Sequence, residues 1–274
     1  MYEEYWQLES KPFEPNPAEP FRFVAPSQQA ALHKLRYSID SRRGAALLAG
    51  PSGVGKTLLA DILAQQLGDS IGQFVRLVFP LMSSRDFLVY LAEQLGAPSV
   101  DPPQLTIEES LRRLEQTFAD NVARGQHAVI VVDEAHLLED GGLLETLRLL
   151  LNLQANGQTA FTLLLVGQTS LLSAMTRNAT LDERLDIKML LQPLNADETT
   201  DYVNHRLLAA GATRQIFAPD ALQVAHQLTG GVPRLLNRLC DLALVVGFAG
   251  QQHTIDAEQL HAVNNELVTV SAAA

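Results

Sequence analysis

A chain of 274 residues, 47% hydrophobic and 19% charged, has an ordinary globular composition and is long enough to bury one large core or two modest ones. Its single cysteine excludes an internal disulfide, and a formal charge of −11 argues against a wholly basic nucleic-acid-binding surface, because phosphate contacts need Lys and Arg. The segment from Met1 to Trp6 lacks the basic start and apolar core of a signal peptide, and no stretch approaches the ~18 to 20 uncharged apolar residues of a membrane span, so the expected location is cytoplasmic.

Residues 1–26 hold five of the 13 prolines (Pro12, Pro15, Pro17, Pro20, Pro26), interleaved with Tyr2, Tyr5, Trp6, Phe13, Phe21 and Phe23. Such a segment is too proline-rich for regular structure and too aromatic for a disordered tail. The expectation is an extended strap across the folded body, anchored by its aromatics. A helix follows over about Gln28–Ser41, with Ala31, Leu32, Leu35 and Ile39 on one face. The apolar run Ala45–Ala49 reads as a buried strand. Further runs at Phe74–Phe79, Ala128–Val132, Phe161–Val166 and Ile187–Leu191, separated by helical patterning, predict an α/β domain over residues 27–192 with a parallel sheet flanked by helices.

Two helix starts are marked within that domain. One is at Ser83 or Ser84; the other is at Thr106 with Glu109 three residues on, the spacing of a capping box. Gly96 and Gly125 are placed to close those helices. After Pro193 only helical signals remain: Asn195 with Glu198 before Tyr202, Val203 and Leu207, then Pro219–Leu228, Arg234–Val246 and Asp256–Leu267. Residues 193–274 are therefore expected to form a small all-helical lid domain. Cys240 lies among Leu235, Leu236, Leu239 and Leu242, where a buried core thiol is expected.

Gly50-Pro51-Ser52-Gly53-Val54-Gly55-Lys56-Thr57 matches the phosphate loop G-x-x-x-x-G-K-[ST], between a predicted strand and the helical Leu58, Leu59, Ile62 and Leu63. Such a string arises by chance in roughly one chain of this length in a hundred. The chemistry it predicts is direct. Glycines let backbone N–H groups turn toward phosphate oxygens, the helix start adds its positive dipole, Lys56 reaches the β- and γ-phosphates of ATP, and the Thr57 hydroxyl binds Mg²⁺. The strand Val129–Val132 ends in Asp133 and Glu134, which puts two carboxylates at the C-terminal edge of the sheet beside the loop. Asp133 is the candidate second holder of Mg²⁺, and Glu134 the residue that polarises the attacking water.

Asp133-Glu134-Ala135-His136 also spells the signature of the DEAH helicases. A helicase of that class needs a second nucleotide-binding lobe, whereas only helical residues follow Pro193. His136 reads as a polar neighbour of the site, because no Cys or His lies at ligand spacing. At the tip of the Phe161–Val166 strand, Gln168 is the first candidate to face the γ-phosphate and Thr169 the second, with a plain turn as the alternative. Arg184, ahead of Arg177, is the candidate to reach a neighbouring subunit's nucleotide and stabilise transition-state charge in trans; solvated surface charge is the alternative for both. Arg234 opens a helix after Gly230-Gly231-Val232-Pro233, where a cation opposes the helix dipole unless an anion is near, making it a candidate nucleotide sensor. Phe23 or Pro26 is a candidate for the adenine pocket, with core packing the alternative for Phe23.

The order of these motifs resembles that of AAA+ ATPases. More closely, Lys11-Pro12-Phe13 with Pro15 and Pro17, Ala135-His136 after the acidic pair, Leu165-Val166-Gly167-Gln168 and Gly231-Val232-Pro233-Arg234-Leu235-Leu236-Asn237 resemble the ExeA/GspA family, the ATPases linked to type II secretion. The resemblance runs from Tyr5 to about Leu267. It implies an ATPase that oligomerises in rings or arcs with nucleotide at subunit interfaces. In that family pattern Asp133 and Glu134 are the Walker B residues, Gln168 is sensor 1, Arg184 the arginine finger and Arg234 sensor 2.

The leading expectation is an ExeA-like ATPase that turns nucleotide state into assembly or remodelling of a protein partner, with secretion machinery as one such partner. The alternative is a DNA-binding transposition-type regulator resembling TniB/TnsC, against which the net charge counts. A non-hydrolysing scaffold and a small-molecule kinase fit the combination of Lys56, Thr57, Asp133, Glu134, Arg184 and Arg234 less well.

Overall fold

The computed structural model describes residues 1–14, 19–68, 71–78, 81–98, 106–140, 142–155 and 157–272. In chain order, a single helical turn α1 (Glu3–Trp6) and a 3-10 turn at Glu19–Phe21 precede α2 (Pro26–Asp40). Then come β1 (Ala45–Ala49), α3 (Lys56–Gln66), β2 (Ile71–Leu77), α4 (Ser84–Gln94), α5 (Ile107–Ala123), β3 (His127–Val132) and α6 (Leu143–Leu150). The two-residue strands β4 (Gln154–Ala155) and β5 (Gln158–Thr159) lead into β6 (Phe161–Gly167), α7 (Ser170–Arg177), α8 (Ala179–Asp182) and β7 (Leu185–Leu190). The chain closes with α9 (Ala196–Ala209), α10 (Pro219–Thr229), α11 (Pro233–Ala249) and α12 (Ala257–Ala272). Two compact units result, one of residues 30–191 and one joining 1–29 to 192–274.

The α/β unit is built on one five-stranded sheet in the order β2-β3-β6-β1-β7, with every pairing parallel. The central strands β1, β3 and β6 are buried at every position, as expected of strands covered by helices on both faces. The edge strand β7 is buried only in part, which is why its apolar signal begins late in the sequence. Strand β2 starts at Ile71, ahead of the expected Phe74, because Gly72 and the polar Gln73 break the apolar run while the pairing continues through a register shift. Phe79, the expected end of that strand, lies outside the described residues. The predicted caps are present. The Ser83 side chain accepts from the Asp86 amide, and Thr106 and Glu109 close a reciprocal capping box. Gly96 and Gly125 follow α4 and α5 with φ of +87° and +74°, the left-handed conformation that ends a helix.

The helical unit packs α9–α12 around a core that includes Tyr202, Phe217, Leu236, Leu239, Leu244 and Leu260. Tyr2, Trp6, Phe13 and Phe21 are buried in that same core. The N-terminal segment is thus anchored by its aromatics, but it is not extended throughout: Glu3–Trp6 coils ahead of the first proline, and Pro20 sits inside a 3-10 turn, which a fixed φ near −65° suits. Pro15 and Pro17 lie outside the described residues. Cys240 is buried, and burial holds its thiol above the ordinary range. Asn195 and Glu198 form the predicted capping box at the start of α9. No helix among the described residues is long and apolar enough to cross a membrane.

Candidate functional site

The loop from Gly50 to Gly55 joins β1 to α3, and its glycines meet two separate demands. A Cβ on Gly50 would stand 2.7 Å from the Leu191 carbonyl oxygen, because the Leu191 amide bonds to the Ala49 carbonyl at 2.7 Å and draws the chain beyond β7 against the loop. Gly55 caps α3 at φ +99°, a conformation closed to most side chains. Lys56 opens that helix and is largely buried, with Nζ donating to the carbonyls of Gly50 at 3.0 Å and Pro51 at 2.8 Å. The next residue, Thr57, donates its hydroxyl to Asp133 Oδ2 at 3.0 Å.

Asp133 follows directly on β3 and is 3% exposed. Its amide bonds to the Leu77 carbonyl at 2.8 Å, which extends the β2–β3 pairing by one residue and fixes the carboxylate at the sheet edge. Glu134 turns out of the strand in the left-handed region, φ +51°, uncommon for a residue with a side chain. Its amide donates to Asp133 Oδ1 at 3.0 Å. The turn separates the two acids: Asp133 is buried against Thr57, and the Glu134 carboxylate is half-exposed. His136 Nδ1 stands 3.4 Å from Glu134 Oε2 and 3.5 Å from the Gln168 amide nitrogen.

Gln168 lies at the end of β6, between β3 and β1 in the sheet. The Gly167 carbonyl accepts from the Gly50 amide at 3.2 Å, tying this strand end to the phosphate loop, while Gln168 and Thr169 are exposed. Gly50, Lys56, Thr57, Asp133, Glu134 and Gln168 therefore meet at the C-terminal edge of one sheet, where open α/β folds hold their ligands. Arg184 is not among them. It precedes Leu185, which pairs with Ala45, so it sits at the opposite edge, about one strand length (roughly 16 Å) from the loop. Its guanidinium is exposed and donates to Asn152 Oδ1 at 2.7 Å. Arg177 is the last residue of α7, which buries Leu171, Ala174 and Met175. Arg234 belongs to the helical unit, exposed in the first turn of α11. Phe23, in the same unit, packs its ring against Tyr202 at 5.6 Å between centroids.

Two residues were absent from the sequence expectation. Arg76 on β2 places its guanidinium 2.7 Å from Asp133 Oδ2 and 2.6 Å from Asp61 Oδ1 on α3. The available signal was an arginine inside an otherwise apolar run, close to the sheet edge that carries the acids. The donor set itself suits a nucleotide with magnesium. A loop made close by Gly50, a buried ammonium, and a hydroxyl paired with a buried carboxylate offer cationic and hard-oxygen groups at one helix start.

The chain is 34% identical over 258 residues to general secretion pathway protein A of Aeromonas hydrophila, a match that covers 93% of this chain and 46% of that protein's length. Among solved structures, the Aeropyrum pernix ORC2 protein in its ADPNP-ADP complexes superposes with a TM-score of 0.70 at 16% identity, covering 94% of this chain and 72% of that one. The Drosophila ORC bound to DNA gives 0.71 at 17% identity, covering 98% and 66%. At such identities the two structures share the fold, a parallel sheet with a helical region after it. The family pattern for the AAA domain matches residues 39–175, half of the sequence, and with the motif order and the resemblance to general secretion pathway protein A, the chain belongs to the AAA domain family.

Proposed function

We propose that the chain binds ATP with Mg²⁺ in its α/β unit, hydrolyses it, and uses the change of nucleotide state to assemble or remodel a partner complex in the cytoplasm. The observation that carries this reading is the 3.0 Å bond from Thr57 to Asp133, which joins the loop hydroxyl and the strand-end carboxylate beside the buried Lys56. The loop Gly50–Gly55 would form the phosphate cradle: the amides of Ser52, Gly53, Val54 and Gly55 are its donors, Gly50 and Pro51 shape the turn, since the Gly50 amide bonds to the Gly167 carbonyl and Pro51 has no N–H, and Lys56 supplies charge to it. Thr57 and Asp133 would hold the metal. Magnesium bound there supplies the positive charge that offsets charge developing on the transferred phosphoryl group. Glu134, set apart from Asp133 by its left-handed backbone, orients the attacking water, and Gln168 adds a polar contact from β6.

Arg184 stands at the edge of the sheet away from its own phosphate loop, which supports a role in trans: it would complete the site of a neighbouring copy in a ring or arc. Arg234 would respond to the nucleotide from the helical unit. The likeness to general secretion pathway protein A supports secretion machinery as the partner.

Steady-state ATP hydrolysis measured across protein concentration, with and without duplex DNA, tests the proposal. Specific activity is expected to rise with concentration and to fall in both Glu134→Gln and Arg184→Ala. Activity independent of concentration and unmoved by Arg184→Ala would remove the shared-site part, no hydrolysis under any condition would remove the ATPase part, and stimulation by DNA would favour a DNA-bound regulator.

A further inference from the structure

A charged pair lies inside the site that the proposed chemistry does not use. Arg76 donates through one terminal nitrogen to Asp133 Oδ2 at 2.7 Å and through the other to Asp61 Oδ1 at 2.6 Å. The Asp133 oxygen it contacts is the one that also accepts from Thr57. The three side chains form a gradient of exposure, 5% for Asp133, 24% for Arg76 and 48% for Asp61. The guanidinium thus bridges a buried carboxylate and a partly solvated one. Its Nε–H is buried without a hydrogen-bond partner, a cost that an arginine placed only to cover apolar surface would escape by turning to solvent.

We propose that Arg76 is a positioning residue that sets the magnesium requirement of the site: its charge competes with the metal for Asp133, and Asp61 moderates the competition by sharing the guanidinium. The inference rests on the reading of Thr57 and Asp133 as the metal-holding residues. One carboxylate cannot fully compensate two cations, and in a site this little exposed the cations also repel each other. Asp133 keeps its place without Arg76, because Thr57 holds Oδ2 and the Glu134 amide holds Oδ1. Loss of the arginine charge therefore frees the carboxylate for the metal. Loss of the Asp61 charge has the opposite effect, since the guanidinium then acts on Asp133 alone. A residue with only a packing role has no reason to give changes of opposite sign.

The test is equilibrium binding of a fluorescent, non-hydrolysable ATP analogue to the full chain, titrated with MgCl₂ and read as the Mg²⁺ concentration at half-saturation. Arg76→Met is expected to lower that midpoint by about fivefold, the scale of one charge pair about 4 Å apart when screened as in water. Asp61→Asn is expected to raise it about twofold, less because Asp61 is half-exposed and screened; Arg76→Lys stays near the parent. A midpoint raised or unchanged in Arg76→Met, or shifted the same way in both charge-removing variants, overturns the inference. Should Arg76→Met fail to fold by circular dichroism, Asp61→Asn decides, and an unmoved or lowered midpoint there overturns it. If Mg²⁺ strengthens binding to the parent but the variants do not diverge, only this inference falls; if the parent shows no Mg²⁺-dependent binding, the metal-site reading falls and takes the inference with it.

Discussion

In the α/β unit, the residues that act together come from neighbouring strand ends: Gly50 follows β1, Asp133 follows β3 and Gln168 follows β6, all at one edge of a sheet whose central strands are fully buried. The helical unit is closed differently. Trp6 donates to the Leu244 carbonyl at 2.9 Å across 238 positions of sequence, and the buried Arg206 donates to the carbonyls of Pro12 and Glu14 at 2.5 and 2.6 Å while lying over the Phe21 ring. One unit therefore concentrates chemistry in short motifs on a continuous scaffold, while the other depends for its core on chain from the far terminus. Substitutions at the motifs should separate activity from stability, and substitutions at the buried aromatics of the N-terminal segment should act on the stability of the helical unit.

The largest effect expected from this contrast is on stability. Trp6→Ala removes a fully buried ring from the helical core, and should cost about 3–5 kcal/mol by denaturant titration, with proteolytic cleavage appearing first in α9–α12. If protection of those helices is unchanged, the N-terminal segment is not part of their core. Next in size, Lys56→Ala should weaken ATP binding by roughly a hundredfold, the value of a charge-assisted contact, with little change in the denaturation midpoint. Calorimetric titration beside a melting curve reports both, and a large loss of stability would show that Lys56 acts mainly through its bonds to Gly50 and Pro51.

A pH titration sharpens the comparison within the α/β unit. Burial first, and Arg42 second, push the His127 imidazole down to about 4 from an ordinary 6.5. The folded state keeps the ring neutral while the unfolded chain protonates it. Stability from this group is therefore complete above pH 6.5 and lost progressively as the pH falls to about 4, by about 3 kcal/mol in all. His127→Gln, which can still bond to Thr162, should flatten the fall between pH 6.5 and 4; an unchanged slope would assign the acid sensitivity elsewhere. The smallest effect is expected at a helix cap. Asn195→Ala removes a side chain that accepts from the Glu198 amide at 2.9 Å, and should lower stability by about 1 kcal/mol without altering ATP binding.

Much of this was legible in the sequence because the forces behind it are local or periodic. The run Ala45–Ala49 is a strand at those bounds, and the capping boxes at Thr106 and Asn195 form where the three-residue spacing placed them. Errors fell where burial was one-sided or a polar residue interrupted a strand. Alternating exposure hid the start of β7, and Gly72 with Gln73 hid the start of β2. The helical patterning expected between the Phe161–Val166 and Ile187–Leu191 runs is present as α7 and α8, which bury Leu171, Ala174, Met175 and Leu181.

The sequence by itself determined the phosphate loop, the acidic strand end and the alternation of strands and helices. Each is a pattern of backbone freedom, charge or apolar period within a few residues. Only the tertiary structure decided that Arg76 and Asp61 belong beside Asp133, that Arg184 stands at the far edge of the sheet, and that Trp6 completes the core of the last four helices. Those facts depend on which strands are neighbours and on contacts between distant stretches of chain, and no local spacing encodes either.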